Sequence, residues 1–188
     1  MTAVTDIPYR IDRLPWSRWH WMVVAGLGIT WILDGLEVTV VGAIGARLQD
    51  PQALALDATQ FGTAATAYLV GAVLGALGFG ELTDRFGRKK LFLITLGWYI
   101  AFTTCTAFSW DALSFAAFRF LTGMGIGGEY AAINSTIDEL IPSRRRGWAD
   151  IAINGSWWFG TMLGSAGSIV LPTLTLALPM SAWLARFT

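Results

Sequence analysis

The chain has 188 residues, of which 54% are hydrophobic and only 14% charged, with 21 glycines and 10 tryptophans. Soluble domains carry about a quarter charged residues, and here the charges gather in three short clusters between long apolar runs, which excludes an ordinary soluble fold and predicts an all-α integral membrane protein. The 13 basic and 13 acidic side chains cancel, so no charge excess marks a nucleic-acid partner.

Lone Cys105, inside an apolar run, provides neither an intrachain disulfide nor a metal cluster, and His20 stands alone at the membrane edge. With no nucleotide or metal motif, an enzyme is not expected, and no cofactor or metal site is assigned. The apolar run behind Arg10, Arg13 and Arg18 is too long for a signal peptide and lacks a clear cleavage site.

In chain order, residues 1–18, with Pro8 and Pro15, read as a polar N-terminal tail. Trp16, Trp19 and Trp21 then mark an interfacial aromatic belt. The first span is expected over 19–45, followed by a loop holding Arg47, Asp50, Pro51 and Asp57. A second span, with Thr59 as its candidate cap, runs to 82. Residues 80–90, GELTDRFGRKK, form a tight polar turn at the membrane surface. The third span covers 91–110, Asp111 marks a short turn, and the fourth covers 113–133 with a continuation to 140 open. After a loop with Pro142, Arg144, Arg145, Arg146 and Gly147, the fifth covers 149–171. Each is long enough for the ~20 helical residues that cross ~30 Å of hydrocarbon. Pro172 and Pro179 interrupt the last stretch, leaving 172–188 as an atypical tail or a partial sixth helix. The expectation is five firm crossings in an N-terminal bundle over 19–171.

Orientation follows from the basic residues. Arg10, Arg13, Arg18, Arg85, Arg88, Lys89, Lys90, Arg144, Arg145 and Arg146 share one side if the spans alternate, and Arg47 stands alone on the other. The positive-inside rule puts the N-terminus and both basic loops in the cytoplasm of a multi-pass cell-membrane protein.

Gly71 and Gly75, Gly123 and Gly127, and Gly160 and Gly164 form GxxxG pairs that let helices approach closely. Gly123, Gly125, Gly127 and Gly128 together predict a tightly apposed or bending fourth helix.

Away from the span ends, four charged residues fall inside spans: Asp34 and Glu37 in the first, Arg119 and Glu129 in the fourth. Asp34 and Glu37 share a face. Asp34 lies ~22 Å along its helix and Arg119 ~12 Å inward from the opposite end of an antiparallel one, so the depths match. A membrane-embedded charge is costly unless it is paired or faces water. An acid–Arg119 pair facing a shared polar cavity is therefore expected. Two readings stay open: charges that lock two helices together, or a carboxylate whose proton affinity changes as its arginine approaches or leaves, coupling proton entry to movement. Glu129 is expected near the cytoplasmic helix end, reaching the interface on its flexible stem, in structural pairing or gating.

These motifs resemble the major facilitator superfamily. Residues 80–90 are similar to that family's signature between its second and third helices, and Arg119 through Glu129 (RFLTGMGIGGE) to its fourth-helix signature. Glu139-Leu-Ile-Pro142 with Arg146-Gly147 resembles the following segment in sugar porters and metabolite:proton symporters. Asp34-Gly35-Leu36-Glu37 resembles the acidic first-helix motif of aromatic-acid and metabolite symporters, with Glu37 where aspartate is commoner.

The resemblance implies twelve spans in two six-helix halves working by alternating access. Less than one half is represented, so the sequence is expected to be a fragment of a longer transporter, with the missing C-terminal half as intramolecular partner. It also implies that Asp34, Glu37 and Arg119 are coupling candidates. Gly80, Asp84, Arg85, Gly87, Arg88 and Lys89 would form a cytoplasmic gate motif, with Gly80 permitting close helix approach and Gly87 the tight turn. Gly123, Gly127, Glu129, Glu139, Arg146 and Gly147 are packing and secondary candidates. The implied partners are lipid, a small-molecule substrate and protons. The implied activity is proton symport of a sugar or small carboxylate, against a facilitator or antiporter of the same fold or a non-transporting helical fragment.

Overall fold

Helices follow wherever an apolar run meets a capping residue. The computed structural model describes residues 12–51 and 54–177, without the side chains of 83, 84 and 171–177. The described residues form α1 (Arg18–Ala43), α2 (Gly45–Leu48), α3 (Ala58–Phe86), α4 (Arg88–Thr106), α5 (Ala112–Leu140) and α6 (Ser143–Ala177).

Ser17 opens α1, its backbone N–H donating to His20 Nδ1 at 3.1 Å. Asp57, not Thr59, opens α3: its carboxylate accepts from Gln60 N at 2.7 Å while its own N–H donates to Gln60 Oε1 at 3.0 Å. Gly87, at φ 85°, separates α3 from α4 in the left-handed region that a glycine tolerates. Asp111 accepts from Ser114 N at 2.7 Å to start α5, and these hydrogen bonds from Ser114 hold its carboxyl below the usual range. The boundaries differ from expectation at two further places. One helical turn, α2, follows α1, and α6 continues through Pro172 to Ala177, since a proline removes one backbone bond without ending a membrane helix.

Among the described residues five helices are long, and of these Arg18–Ala43 and Ala58–Leu82 are long and apolar enough by composition to cross a membrane. Of the five expected crossings, two therefore pass on length and composition among the described residues. The reason is where the polar residues sit. α4 has 19 residues and opens on Arg88, Lys89 and Lys90; α5 carries Arg119 and Glu129; α6 carries three arginines at its start and serines and threonines scattered along it.

Two glycine-lined contacts organise the bundle. On α3 and α5 the match is reciprocal. A Cβ on Gly71 or Gly75 would fall on the Phe120 or Met124 carbonyl, and one on Gly123 or Gly127 on the Tyr68 or Ala72 carbonyl. On α1 and α6, Gly35 meets the Trp157 carbonyl and Gly160 the Ile32 carbonyl in the same way. Gly125 sits against Tyr99 of α4, and Gly128 is wedged between Phe79 and Thr95, so α5 is close to neighbours on two sides. α1 and α5 have almost no backbone contact by comparison, and side chains fill the seam between them. Val24, Leu27, Ile133, Ile137 and Ile153 close one end of the bundle, and Leu56, Ala64 and Phe115 lie at the other.

Gly127→Ala is expected to cost about 1–3 kcal/mol of stability, because the α3 backbone has to retreat. Gly97→Ala, where a Cβ meets nothing within 4 Å, is expected to be neutral or stabilising by up to about 1 kcal/mol. Unfolding in detergent with a thiol-reactive or intrinsic-fluorescence readout checks the pair. Asp111→Ala should also lower stability. Because the folded carboxyl is held below its ordinary value, the difference from wild type should be full at neutral pH and shrink as pH falls through the folded value.

Candidate functional site

Thr30, Asp34 and Glu37 recur at helical spacing on one buried face of α1, and Arg119, Thr122 and Glu129 on the facing side of α5. The helices are antiparallel, so Glu37 meets Arg119 near one end of this line and Thr30 approaches Glu129 near the other. Arg119 Nη1 donates to Glu37 Oε1 in an ion pair buried on both sides. The guanidinium also lies over the Tyr68 ring of α3, 4.3 Å from its centroid, which adds a cation–π contact. Of the two acids expected within reach of Arg119, Glu37 is its partner.

Asp34 is 0% exposed, and neither carboxyl oxygen has a hydrogen-bond partner. Glu129 is also 0% exposed with both oxygens unpartnered. It does not reach the interface on its stem, because the tight α3–α5 contact turns it into the bundle. Across the same seam Trp31 stacks flat on Tyr130, with centroids 4.5 Å apart and planes 2° from parallel.

The expected polar cavity is instead largely apolar. Glu37 borders a space of about 840 Å³ whose walls include Leu33, Leu36, Val40, Ile44 and Tyr99. Arg119 borders a smaller one of about 280 Å³, with Tyr68 and Phe61. Apart from the Glu37–Arg119 pair, the seam's carboxyl oxygens are buried without partners, and aliphatic side chains line the spaces outside it.

The basic residues between α3 and α4 divide by location. Arg88 ion-pairs with Glu139 at the end of α5 and donates to the Ser135 carbonyl at 3.0 Å, so two separately recognised motifs meet in space. Arg85 pairs with Glu81 at 2.8 Å on an exposed helix face, a contact of small energetic weight. Lys89 borders a shallow groove with Phe86 and Leu93. A Cβ on Gly80 would sit 3.7 Å from Ala131, ordinary contact, so nothing among the described residues requires glycine there. The Asp84 side chain lies outside the described residues. Arg146 Nε donates to the Ile141 carbonyl at 2.9 Å, fixing the α5–α6 turn, while Gly147 has open space around it.

Near that turn Asp12 accepts from Ser143 N at 2.8 Å. That backbone hydrogen bond holds its carboxyl below the usual range. Trp16 meets Trp148 edge-on at 5.8 Å, and Arg145 lies over Trp16.

Sequence reasoning missed Tyr68 and Tyr130, and it named Gly35 only as part of the first-helix motif, not as a contact with α6. Tyr130 had a usable signal, since it follows Glu129 and lies four residues from buried Ile126. Tyr68 had none, because its position depends on the α3–α5 register.

Removing one member of the buried pair is expected to cost about 3–5 kcal/mol, because it strands a charge. Glu37→Leu or Arg119→Met alone should therefore lower the melting temperature sharply. The double substitution should recover most of it, and a thermal double-mutant cycle in detergent measures the coupling.

Residues 28–183 match the Major Facilitator Superfamily. The chain is 31% identical over 168 residues to a niacin transporter of Acinetobacter baylyi, covering 89% of this chain and 38% of that protein. It is 32% identical over 162 residues to a 4-hydroxybenzoate transporter of Pseudomonas putida, covering 86% and 35%. It is 31% identical over 144 residues to a gallate transporter of Pseudomonas putida, covering 77% and 32%. The chain thus spans about a third of the length of these relatives, which are transporters rather than enzymes and do not single out the sugar-porter branch. Among the described residues no cluster of His, Cys, Asp and Glu is arranged to hold a metal ion. With its apolar helices and this match, the chain belongs to the Major Facilitator Superfamily and is a multi-pass membrane protein.

Proposed function

We propose that these helices form the N-terminal bundle of a transporter that carries a small aromatic carboxylate together with a proton by alternating access. The observation that carries this reading is the Glu37–Arg119 pair buried in a seam with two further carboxyls, Asp34 and Glu129. In this reading all five long helices cross the bilayer, with the N-terminus cytoplasmic. The polar faces of α4, α5 and α6 turn toward protein, and the turn holding Gly80, Asp84, Arg85, Gly87, Arg88 and Lys89 serves as a cytoplasmic gate.

The chemistry follows from competition. One guanidinium is a fork suited to a single carboxylate, and Glu37 occupies it in the resting site. A substrate carboxylate takes that place only if Glu37 is released, and a released buried anion is costly unless it is protonated. Proton uptake by the Asp34–Glu37 pair frees Arg119, and the substrate anion then replaces the charge lost. Proton and anion enter together because either alone leaves an uncompensated charge. Stranding a charge costs about 3–5 kcal/mol, enough for roughly a hundred-fold or greater dependence of substrate affinity on the proton.

Relatives named for niacin, 4-hydroxybenzoate and gallate support a carboxylate substrate over a sugar. In proteoliposomes holding the complete transporter, an inside-alkaline gradient is expected to drive accumulation of radiolabelled 4-hydroxybenzoate. Asp34→Asn should abolish accumulation while leaving substrate exchange, and Arg119→Lys should weaken apparent affinity at least about tenfold, because the bidentate fork is lost. Accumulation that ignores the gradient in the unaltered protein would make it a facilitator and sink the proton coupling.

A further inference from the structure

Arg119 has two partners on two different helices, and those helices are not equally fixed to α5. Glu37, on α1, holds the guanidinium through one nitrogen, and its second oxygen, Oε2, is buried without a hydrogen-bond partner. Tyr68, on α3, presents its ring face to the guanidinium carbon, 4.3 Å from the ring centroid. Among the described residues the guanidinium makes no further hydrogen bond or ion pair.

The glycine contacts decide which partner can leave. A Cβ on Gly123, one turn beyond Arg119, would fall on the Tyr68 carbonyl. A Cβ on Gly71, nearly one turn beyond Tyr68, would fall on the carbonyl of Phe120, the residue next to Arg119. Tyr68 and Arg119 therefore sit where α3 and α5 touch through their backbones, and neither shifts without the other. α1 meets α5 with little backbone contact, so Glu37 can withdraw while Tyr68 stays.

We infer that Tyr68 is a positioning residue whose ring holds the Arg119 guanidinium in the interval after Glu37 has released it and before a substrate carboxylate arrives. The inference rests on the carboxylate-exchange reading above.

The physical step is a difference between states. A ring face attracts a cation through its quadrupole, most strongly when the cation is desolvated. In the resting and loaded states an anion neutralises much of the guanidinium's field, so the ring adds little to either. Between them the guanidinium is a buried cation without an anion, which is costly, and the ring is the group left facing it. A contact that stabilises the intermediate state more than the two end states speeds exchange without tightening binding. The ring also keeps the planar fork from following Glu37, so the incoming carboxylate meets it already placed. The hydroxyl has no part in this, and an electron-rich ring at position 68 suffices.

The test is exchange of radiolabelled 4-hydroxybenzoate by the complete transporter in proteoliposomes, read as maximal rate and half-saturating concentration. Tyr68→Leu is expected to lower the maximal rate about threefold to thirtyfold, the range that a desolvated cation–π contact supports. The half-saturating concentration should change little. Tyr68→Phe keeps the ring and should exchange near the wild-type rate. Fluorinating that phenylalanine ring at one, two and three positions drains its face stepwise at nearly constant shape. The rate should fall with each fluorine while the melting temperature holds, a gradation that a merely structural role would not produce and that stays readable if Tyr68→Leu fails to fold. A fully fluorinated series that exchanges as fast as Tyr68→Phe, or a folded Tyr68→Leu protein with the wild-type rate, would overturn the inference. Arg119→Lys separates it from the reading beneath it. If Arg119→Lys weakens affinity while fluorination does nothing, the inference alone fails; if Arg119→Lys leaves affinity unchanged, the carboxylate-exchange reading falls and this inference with it.

Discussion

One guanidinium serves three buried carboxyls, and the rest of the bundle is arranged around that shortage. Asp34, Glu37 and Glu129 lie in the α1–α5 seam, where Arg119 is the matching cation and is engaged by Glu37. An ion pair in such a place is weak evidence for stability, since desolvation offsets much of its attraction. Two further acids without partners make the arrangement worse as a structural device. A site under selection for rigidity alone would fill these positions with leucine. In the proposed transport reading, the shortage of positive charge is what lets protons and a substrate anion come and go.

The glycines determine where that seam can be. Reciprocal contacts at Gly71, Gly75, Gly123 and Gly127 bring α3 and α5 to backbone distance, and Gly35 and Gly160 do the same for α1 and α6. Backbones in contact leave no width for polar side chains. The charged and aromatic groups are therefore confined to the wider contact, between α1 and α5. The bundle divides into α3–α4–α5 and α1–α6, each closely fitted, with a side-chain-filled joint between them. Side chains that exchange partners let such a joint adjust, whereas a backbone contact sterically closed by glycine has little room to slide.

The helical framework was legible because its signals are local: apolar runs, caps and turn glycines need only neighbours in sequence. Asp111 and Gly87 are of this kind, as are the paired small residues. The acid facing Arg119 was narrowed to Asp34 or Glu37 by depth along antiparallel helices, but the choice between them depends on rotation about the helix axis, which a three-residue spacing on one face leaves undetermined. Glu129 was misplaced for a related reason. Counting residues from a helix end assigned it a depth and could not see that Gly125, Gly127 and Gly128 draw that part of α5 inward. Polar residues within α4, α5 and α6 likewise lower the apolar character of helices that are nonetheless long, so length and composition disagree over them.

Glu37 stands where an aspartate is commoner in motifs of this type, and the geometry gives the extra methylene a purpose. The seam is bridged by side chains, so reach decides which acid meets Arg119. A carboxylate on a stem one carbon longer extends about 1.5 Å farther, across a gap that α1 and α5 do not close with their backbones. Asp34, on the shorter stem, stays fully buried with neither carboxyl oxygen hydrogen-bonded. Of the two acids on one face, Glu37 holds a permanent cation and Asp34 is buried without a hydrogen-bond partner. The difference in side-chain length separates a carboxyl that reaches the cation from one that stays unpaired on the same face, and exchanging the two lengths would exchange those places.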